Sequence, residues 1–212
     1  MSNDEDGGSV RRASGSFSFR PGPRWQLSAN PSVERLTDTQ QYVTTLSGGR
    51  PETYNSRYVF AFIDRSTLAT EFRMTLTLKP DVNLDVYAEP FAASGRYYDY
   101  GELLQPGVRE RLQYGTSGTG LIVNPDGSQT VTAGSSSFAL RNRDFNTLSF
   151  RSNVVLRCEW RPGSTLYVVW QQDRSETEVV GDYVNVGDMF RSVAAPGRNF
   201  FVIKTSFWIP VK

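Results

Sequence analysis

Two carboxylates, Asp85 and Glu89, have the types and spacing that come closest to a catalytic arrangement in this sequence. They stand four residues apart in an alternating stretch, so in a β-strand both side chains project to the same face. Glycoside hydrolysis uses such a carboxyl pair, with one group as acid and the other as nucleophile or base. The simpler interpretation is that both carboxylates form ion pairs with Arg73 or Arg151 on neighbouring strands.

Other enzymatic chemistry has little support in the sequence. The chain has 212 residues, no histidine and one cysteine, Cys158. Schemes that pair a serine or cysteine nucleophile with histidine are therefore excluded within this sequence, as are Cys/His metal sites. The Asn124-Pro-Asp-Gly127 segment lacks the further acidic ligands of a calcium loop and is typical of a turn. We predict that the chain is not an enzyme and that it holds no cofactor and no metal.

A group of aromatic and basic residues could contact a glycan. It lies at the start of a long polar stretch, about residues 94–144, which is predicted to be an external loop. The candidate contacts are Arg96, Tyr97, Tyr98 and Tyr100. The alternative is that these side chains only pack the loop.

The charge of the chain gives no support for nucleic acid as a partner, and its hydropathy excludes a transmembrane helix. The net charge is +1, so nothing in the composition favours nucleic acid as a partner. No run of eighteen or more apolar residues is present, which excludes a transmembrane helix.

Alternating hydropathy predicts an all-β fold of long strands. The clearest example runs from Asn146 to Trp160, followed by a Pro162-Gly163 turn and a second limb. One wall of that strand is apolar and the other is charged, because successive side chains of a strand point to opposite faces. The outward face of the second limb, 164–178, cannot be assigned because both of its faces are apolar. We predict about seven strands, at 13–20, 24–35, 57–79, 83–94, 146–160, 164–178 and 198–211.

The connections between these strands alternate between tight and long. Tight turns are predicted at 21–23, 80–81 and 161–164, and long polar loops at about 36–56, 94–144 and 173–198. In an antiparallel up-and-down meander, all tight turns then lie at one end and all long loops at the other. Short turns at one end and long loops at the other are typical of outer-membrane β-barrels.

A membrane barrel would place the apolar wall against lipid and the charged wall around a lumen. The predicted lumen-lining residues are Glu71, Arg73, Asp85, Glu89, Arg151, Arg157 and Glu159. A soluble antiparallel β-sandwich also alternates apolar and polar residues, and its polar face would be wet. That alternative would be a carbohydrate-binding module that uses the tyrosines at 97–100. Strand length and loop asymmetry favour the barrel.

Seven strands are too few to close a bacterial membrane barrel, which has an even number of eight or more. We therefore expect an incomplete barrel, with residues 13–212 as its C-terminal segment and 1–12 as a disordered or loop remnant. The missing strands would lie upstream, and the absence of a signal peptide at the start of the sequence agrees with this expectation.

Three long stretches carry a resemblance to a known family. They are 83–100, 144–171 and 201–208, with phrases such as Asp85-Val-Tyr-Ala-Glu-Pro-Phe91 and Cys158-Glu-Trp-Arg-Pro-Gly163. They resemble the C-terminal portion of the bacterial proteins grouped as domain of unknown function 5916, over about residues 24–208. Two features depart from the family pattern: Cys158 replaces an aromatic residue, and four residues follow Trp208.

The resemblance implies a compartment and an architecture but no reaction. Members resemble outer-membrane barrels that often carry an N-terminal carbohydrate-binding family 9-like module, which this sequence lacks. It implies location in the bacterial outer membrane, lipid as a partner, and a pore or anchor role linked to surface glycans.

Overall fold

The computed structural model describes residues 2–3, 7–116 and 118–209. The fold is all-β and antiparallel, with 70% of the residues in strands and 5% in helices. A short 3₁₀ helix covers Pro51–Thr53, and one α-helix, α1, covers Val186–Ser192. The strands are β1 (Ser2–Asn3), β2 (Ser9–Ser14), β3 (Phe17–Gly22), β4 (Trp25–Ser47), β5 (Ser56–Lys79), β6 (Val82–Leu103), β7 (Arg111–Gln113), β8 (Thr119–Val123), β9 (Gln129–Ala133), β10 (Ser136–Leu140), β11 (Phe145–Arg161), β12 (Ser164–Glu178) and β13 (Gly197–Ser206).

The main sheet is an up-and-down meander, as the alternating sequence predicts. Its strand order is β1-β2-β4-β5-β6-β11-β12-β13, with β3 beside β4 and β7 beside β6. Strands β8, β9 and β10 form a separate three-stranded sheet, in which β8 and β9 flank the predicted Asn124–Gly127 turn. Among the described residues, no ladder joins β13 to β1, β2 or β3, so the main sheet has two edges.

Three strands are unusually long, and two of them, β4 and β6, are much longer than predicted. β4, β5 and β6 contain 23, 24 and 22 residues, so the predicted loops at 36–56 and from 94 onward are wrong in their first parts. β5 confirms the single strand predicted over 57–79. At roughly 3.3 Å per residue these strands reach about 70–80 Å, far more than one membrane crossing requires.

The asymmetry of the connections is confirmed. The hairpins β3–β4, β5–β6 and β11–β12 turn within two residues each, at one end of the sheet. Gly163 takes a φ of +76° in the last of these turns, which is a conformation that favours glycine. The opposite end carries the 3₁₀ helix, the three-stranded sheet and α1. We call these the turn end and the cap end.

Pro31 explains a break in the neighbouring edge strands. It lies inside β4, opposite Thr70 of β5 on one side. On its other side β2 ends at Ser14 and β3 begins at Phe17, and Gly15 N–H donates to the Pro31 carbonyl at 3.0 Å. Proline has no N–H to give to a ladder, and here the missing donor coincides with the gap between β2 and β3. The proline therefore lies inside a paired strand, and the interruption falls in the neighbouring strands β2 and β3.

The first twelve residues are not simply a loop remnant. Residues 9–12 belong to β2 and pair with 34–37 of β4, so that part of the prediction is wrong. Residues 7–8 precede this strand, and Ser2–Asn3 pairs with it as β1. Residues 1 and 4–6 lie outside the described residues.

The helix α1 is not indicated by any helical period in the sequence. Asn185 caps it, accepting hydrogen bonds from the backbone of Gly187 and Asp188, and Asp188 accepts from the Asn185 N–H in return. Val184 packs with Leu148 on the sheet, and Met189 lies beside Thr70. Within the part of the chain described, no helix has the length and apolar character required to cross a membrane.

The main hydrophobic core lies at the cap end. Val59, Ala61 and Tyr100 of the long strands pack there against Val131 and Leu140 of the small sheet. The small sheet thus covers one face of the cap-end halves of β5 and β6.

Candidate functional site

The register places all seven predicted lumen-lining residues on one face of the main sheet. We call it the charged face: Glu71, Arg73, Asp85, Glu89, Arg151, Arg157 and Glu159 lie on it. Direct neighbours on this face include Arg73 with Tyr87 and Glu89 with Arg151. Their common face follows from the strict alternation of a regular strand, whereas their role as the lining of a lumen stays a prediction.

The opposite face of the turn-end half is an apolar band. It crosses the sheet through rows of directly paired residues, such as Leu27, Met74, Val86, Val154, Trp170 and Phe201. Much of it is exposed: Phe19 at 65%, Phe72 at 44% and Phe201 at 66%. The register also assigns the second limb of the central hairpin, because Leu166, Val168 and Trp170 lie on this band.

A polar chain connects several residues of the charged face. Arg73 Nε donates to Glu71 Oε1 at 2.7 Å, and the Arg73 guanidinium lies 5.1 Å from the centroid of the Tyr87 ring. Tyr87 in turn donates to Glu89 Oε2 at 2.8 Å. The chain joins β5 to β6 along a surface of alternating acidic, basic and aromatic groups.

The remaining charged residues make contacts outside this polar chain. Thr75 donates to Asp85 Oδ1 at 2.8 Å. The Arg157–Glu159 and Arg151–Asp173 pairs are 3.7 Å and 4.0 Å apart, with exposed side chains. Asp85 and Glu89 each receive a hydroxyl donor, Thr75 and Tyr87, where the sequence suggested arginine. Together these residues form a partly exposed polar face on the turn-end half of the sheet.

The four candidate glycan contacts are divided between two faces of β6. Arg96 pairs with Asp64 and Tyr98 with Phe62 on the face of the apolar band. Tyr97 pairs with Ile63 on the opposite face, where Tyr100 is only 4% exposed in the cap-end core. All four belong to strand β6 rather than to a loop. Because they are divided between the two faces of that strand, they do not form one surface.

Asp64 collects hydrogen bonds on the face of the apolar band, just beyond the band itself. Its carboxylate accepts from Thr37 at 2.7 Å, from Tyr98 at 3.2 Å and from Tyr183 at 3.3 Å. Burial, followed by the negative charge of Asp64, raises the pKa of Tyr98 to about 12. The Tyr98 phenol therefore stays neutral and serves as a donor.

A buried ion pair at the cap end was not found from the sequence. Arg57 Nη1 donates to Glu102 Oε2 at 2.8 Å and to Oε1 at 3.0 Å, and Tyr114 donates to Oε2 at 3.1 Å. Burial is the main cause that raises the pKa of Tyr114, with the Glu102 charge second. The two charged residues are 45 positions apart in sequence. Arg57 begins the strand predicted over 57–79, but Glu102 lies in the cap-end half of β6, which was predicted to be part of a loop. The pairing of Arg57 with Glu102 could be predicted only if β6 were known to extend to Leu103.

The described residues contain no group of three or more His, Cys, Asp or Glu side chains that could hold a metal ion. Cys158 is free and half-buried on the apolar band, opposite Val82 and Leu166.

Comparison with known proteins does not help to interpret these surfaces. No family model, no curated protein and no solved structure matches the chain. The family resemblance read from the sequence stays a prediction, and the function must be argued from the surfaces themselves.

Proposed function

We propose that this chain is a segment of an outer-membrane β-barrel, with the apolar band against lipid and the charged face toward a lumen. The observation that carries the proposal is the exposed apolar band that crosses the whole turn-end half of the sheet. Water-exposed apolar surfaces of this extent mark a membrane or an interaction surface in folded proteins.

The apolar rows of the band are about as long as a membrane crossing requires, although the chain itself covers part of them. On β5 the row runs from Leu68 to Leu76 and on β6 from Leu84 to Ala92. The Val184 segment and α1 pack on the cap-end part of these rows, at Leu68, Thr70 and Ala92, so the exposed part lies nearer the turn end. A tilted membrane strand needs roughly 9–11 residues to cross the hydrocarbon. The longer cap-end halves of these strands would then stand outside the membrane.

Aromatic residues lie where the band meets the turn end. Trp25, Trp160 and Trp208 are 41%, 44% and 65% exposed there, and Trp160 contacts Phe207 edge-on with ring centroids 5.6 Å apart. Aromatic girdles at the interfaces are characteristic of outer-membrane strands. The turn end would face the periplasm and the cap end the exterior.

The two free edges require further strands if the sheet lies in lipid. All ten residues of β13 are exposed, and hydrocarbon cannot satisfy the free backbone groups of an edge. The partners of the segment would be outer-membrane lipid and further strands of the same barrel, expected upstream. The complete barrel would serve as a pore or an anchor of the bacterial outer membrane linked to the handling of surface glycans.

Depth-dependent quenching of tryptophan fluorescence tests the proposal. One variant keeps Trp170, inside the band, as its sole tryptophan, and a matched variant keeps only Trp160, at the rim; the others become phenylalanine. In vesicles with brominated acyl chains, we expect deep bromines to quench Trp170 and shallow bromines to quench Trp160.

A folded, soluble chain whose tryptophans no brominated lipid quenches would contradict the membrane proposal. The carbohydrate-binding β-sandwich would then be the alternative to pursue, with glycan binding by the soluble chain as its own test.

A further inference from the structure

A second candidate site lies at the cap end, away from the charged face of the turn-end half. A cavity of about 280 Å³ opens between the β4–β5 connection and the end of the small sheet. Its lining includes Gly48, Arg50, Arg57, Glu102 and Gly134. This volume is near the lower end of the range of small-molecule sites, roughly 300–1,000 Å³, so the cavity would accept one ring or a smaller group.

The floor of the cavity holds a charged side chain that is fixed in position. Arg57 is only 7% exposed, and its position is fixed by Glu102 and by the Phe138 ring, whose centroid is 4.8 Å from the guanidinium carbon. Nη1 donates both hydrogen bonds to Glu102. A guanidinium carries five N–H donors in a planar fork that suits a carboxylate or phosphate, and Arg57 lines the cavity.

The charge of the lining favours an anion. Arg57 and Glu102 cancel each other, and Arg50 at the exposed rim adds one positive charge. Gly48 and Gly134, at φ values of +79° and +60°, contribute walls without side chains. A small anion could thus reach the buried guanidinium directly.

We propose that this cavity binds a small molecule with a single oxyanion group, held by Arg57 at the floor and Arg50 at the rim. The inference does not depend on the membrane proposal, because every residue of the cavity lies at the cap end. A sugar acid and a phosphate share the required chemistry, and the probes below distinguish them.

Isothermal titration calorimetry of the full chain, in the medium in which it is folded, tests the site. The probes are D-glucuronate, inorganic phosphate and uncharged D-glucose. We expect at least one of the two anions to bind and glucose not to bind. The Arg50→Gln variant should weaken anion binding about tenfold, because one charge-assisted contact is lost while the core stays intact. Arg11→Gln, the same substitution at an exposed position on β2, is the matched control and should bind as the unchanged chain does.

The pattern of binding decides the outcome. Glucuronate without phosphate indicates a carboxylate site, phosphate without glucuronate indicates a phosphate site, and binding of both supports a general oxyanion site. The proposal is overturned if neither anion binds, if glucose binds as well as the anions, or if Arg50→Gln and Arg11→Gln have the same affinity. A vesicle experiment that contradicts the membrane proposal would leave these results unaffected.

Discussion

The Arg57–Glu102 pair is the residue-scale contact on which the cap end depends most. Glu102 is 3% exposed, so removal of Arg57 would leave a carboxylate buried without its counter-charge. Breaking a buried pair on one side typically destabilises a protein by about 3–5 kcal/mol, whereas replacing both partners by apolar residues is often near neutral.

We therefore expect Arg57→Met to lower the free energy of unfolding by about 3–5 kcal/mol. Arg57→Met combined with Glu102→Leu should recover part of that loss, because the buried charge is gone but the Tyr114 hydroxyl loses its acceptor. Urea unfolding measures both. Arg157→Met is the matched control, since its partner Glu159 is exposed and the pair is 3.7 Å apart, and it should change stability by less than about 1 kcal/mol. Equal losses in Arg57→Met and the double variant would show that packing, not charge, makes Arg57 important.

At the scale of elements, the sequence predicts strands well only where one face is apolar. The band on β5 and β11 alternates clearly, and both strands were predicted close to their true bounds. The cap-end part of β4, residues 36–47, is mostly polar, and its few apolar residues (Leu36, Tyr42, Val43 and Leu46) do not alternate regularly, so no hydropathy period marks it. Register shifts after Asp38 and after Tyr42 also break the phase there. Its strand character comes from pairing with β5, which a local pattern cannot show.

The helix α1 was missed for a different reason. At seven residues it has fewer than two turns, too short for a helical period to be read. The signal that was available is the capping pair, an asparagine followed three positions later by an acidic residue, Asn185 and Asp188. That signal alone is common in loops, and only the packing of Val184 and Met189 on the sheet gives it structural meaning.

Loss of the cap should loosen α1 without affecting the strands. Asn185→Ala removes the acceptor for Gly187 and Asp188 N–H, and such a substitution typically costs about 1 kcal/mol. We expect the amides of residues 187–192 to exchange with solvent about fivefold faster, as measured by hydrogen–deuterium exchange. Asn153→Ala, an exposed asparagine on β11, is the control and should leave that exchange unchanged. Unchanged exchange in Asn185→Ala would mean that sheet contacts alone hold the helix.

At the scale of the whole molecule, one substitution placed on either side of the sheet separates the roles of the two faces. Val154 and Val155 are neighbours on β11 with similar partial burial. Val154 lies in the apolar band between Val86 and Trp170, whereas Val155 lies on the charged face beside Asp85. The same substitution at these two positions therefore differs only in the face that it alters.

We expect Val154→Arg to prevent stable insertion into lipid vesicles, since an arginine on the lipid face near the bilayer centre costs about 2–4 kcal/mol. Val155→Arg should insert normally, because its guanidinium would enter a polar lining that already holds Asp85. Co-flotation with vesicles, together with urea titration of the inserted fraction, measures the difference. If both variants insert equally well, or if Val155→Arg is the more damaging one, the apolar band is not the lipid-facing surface. The charged face would then have to be reconsidered as something other than a lumen.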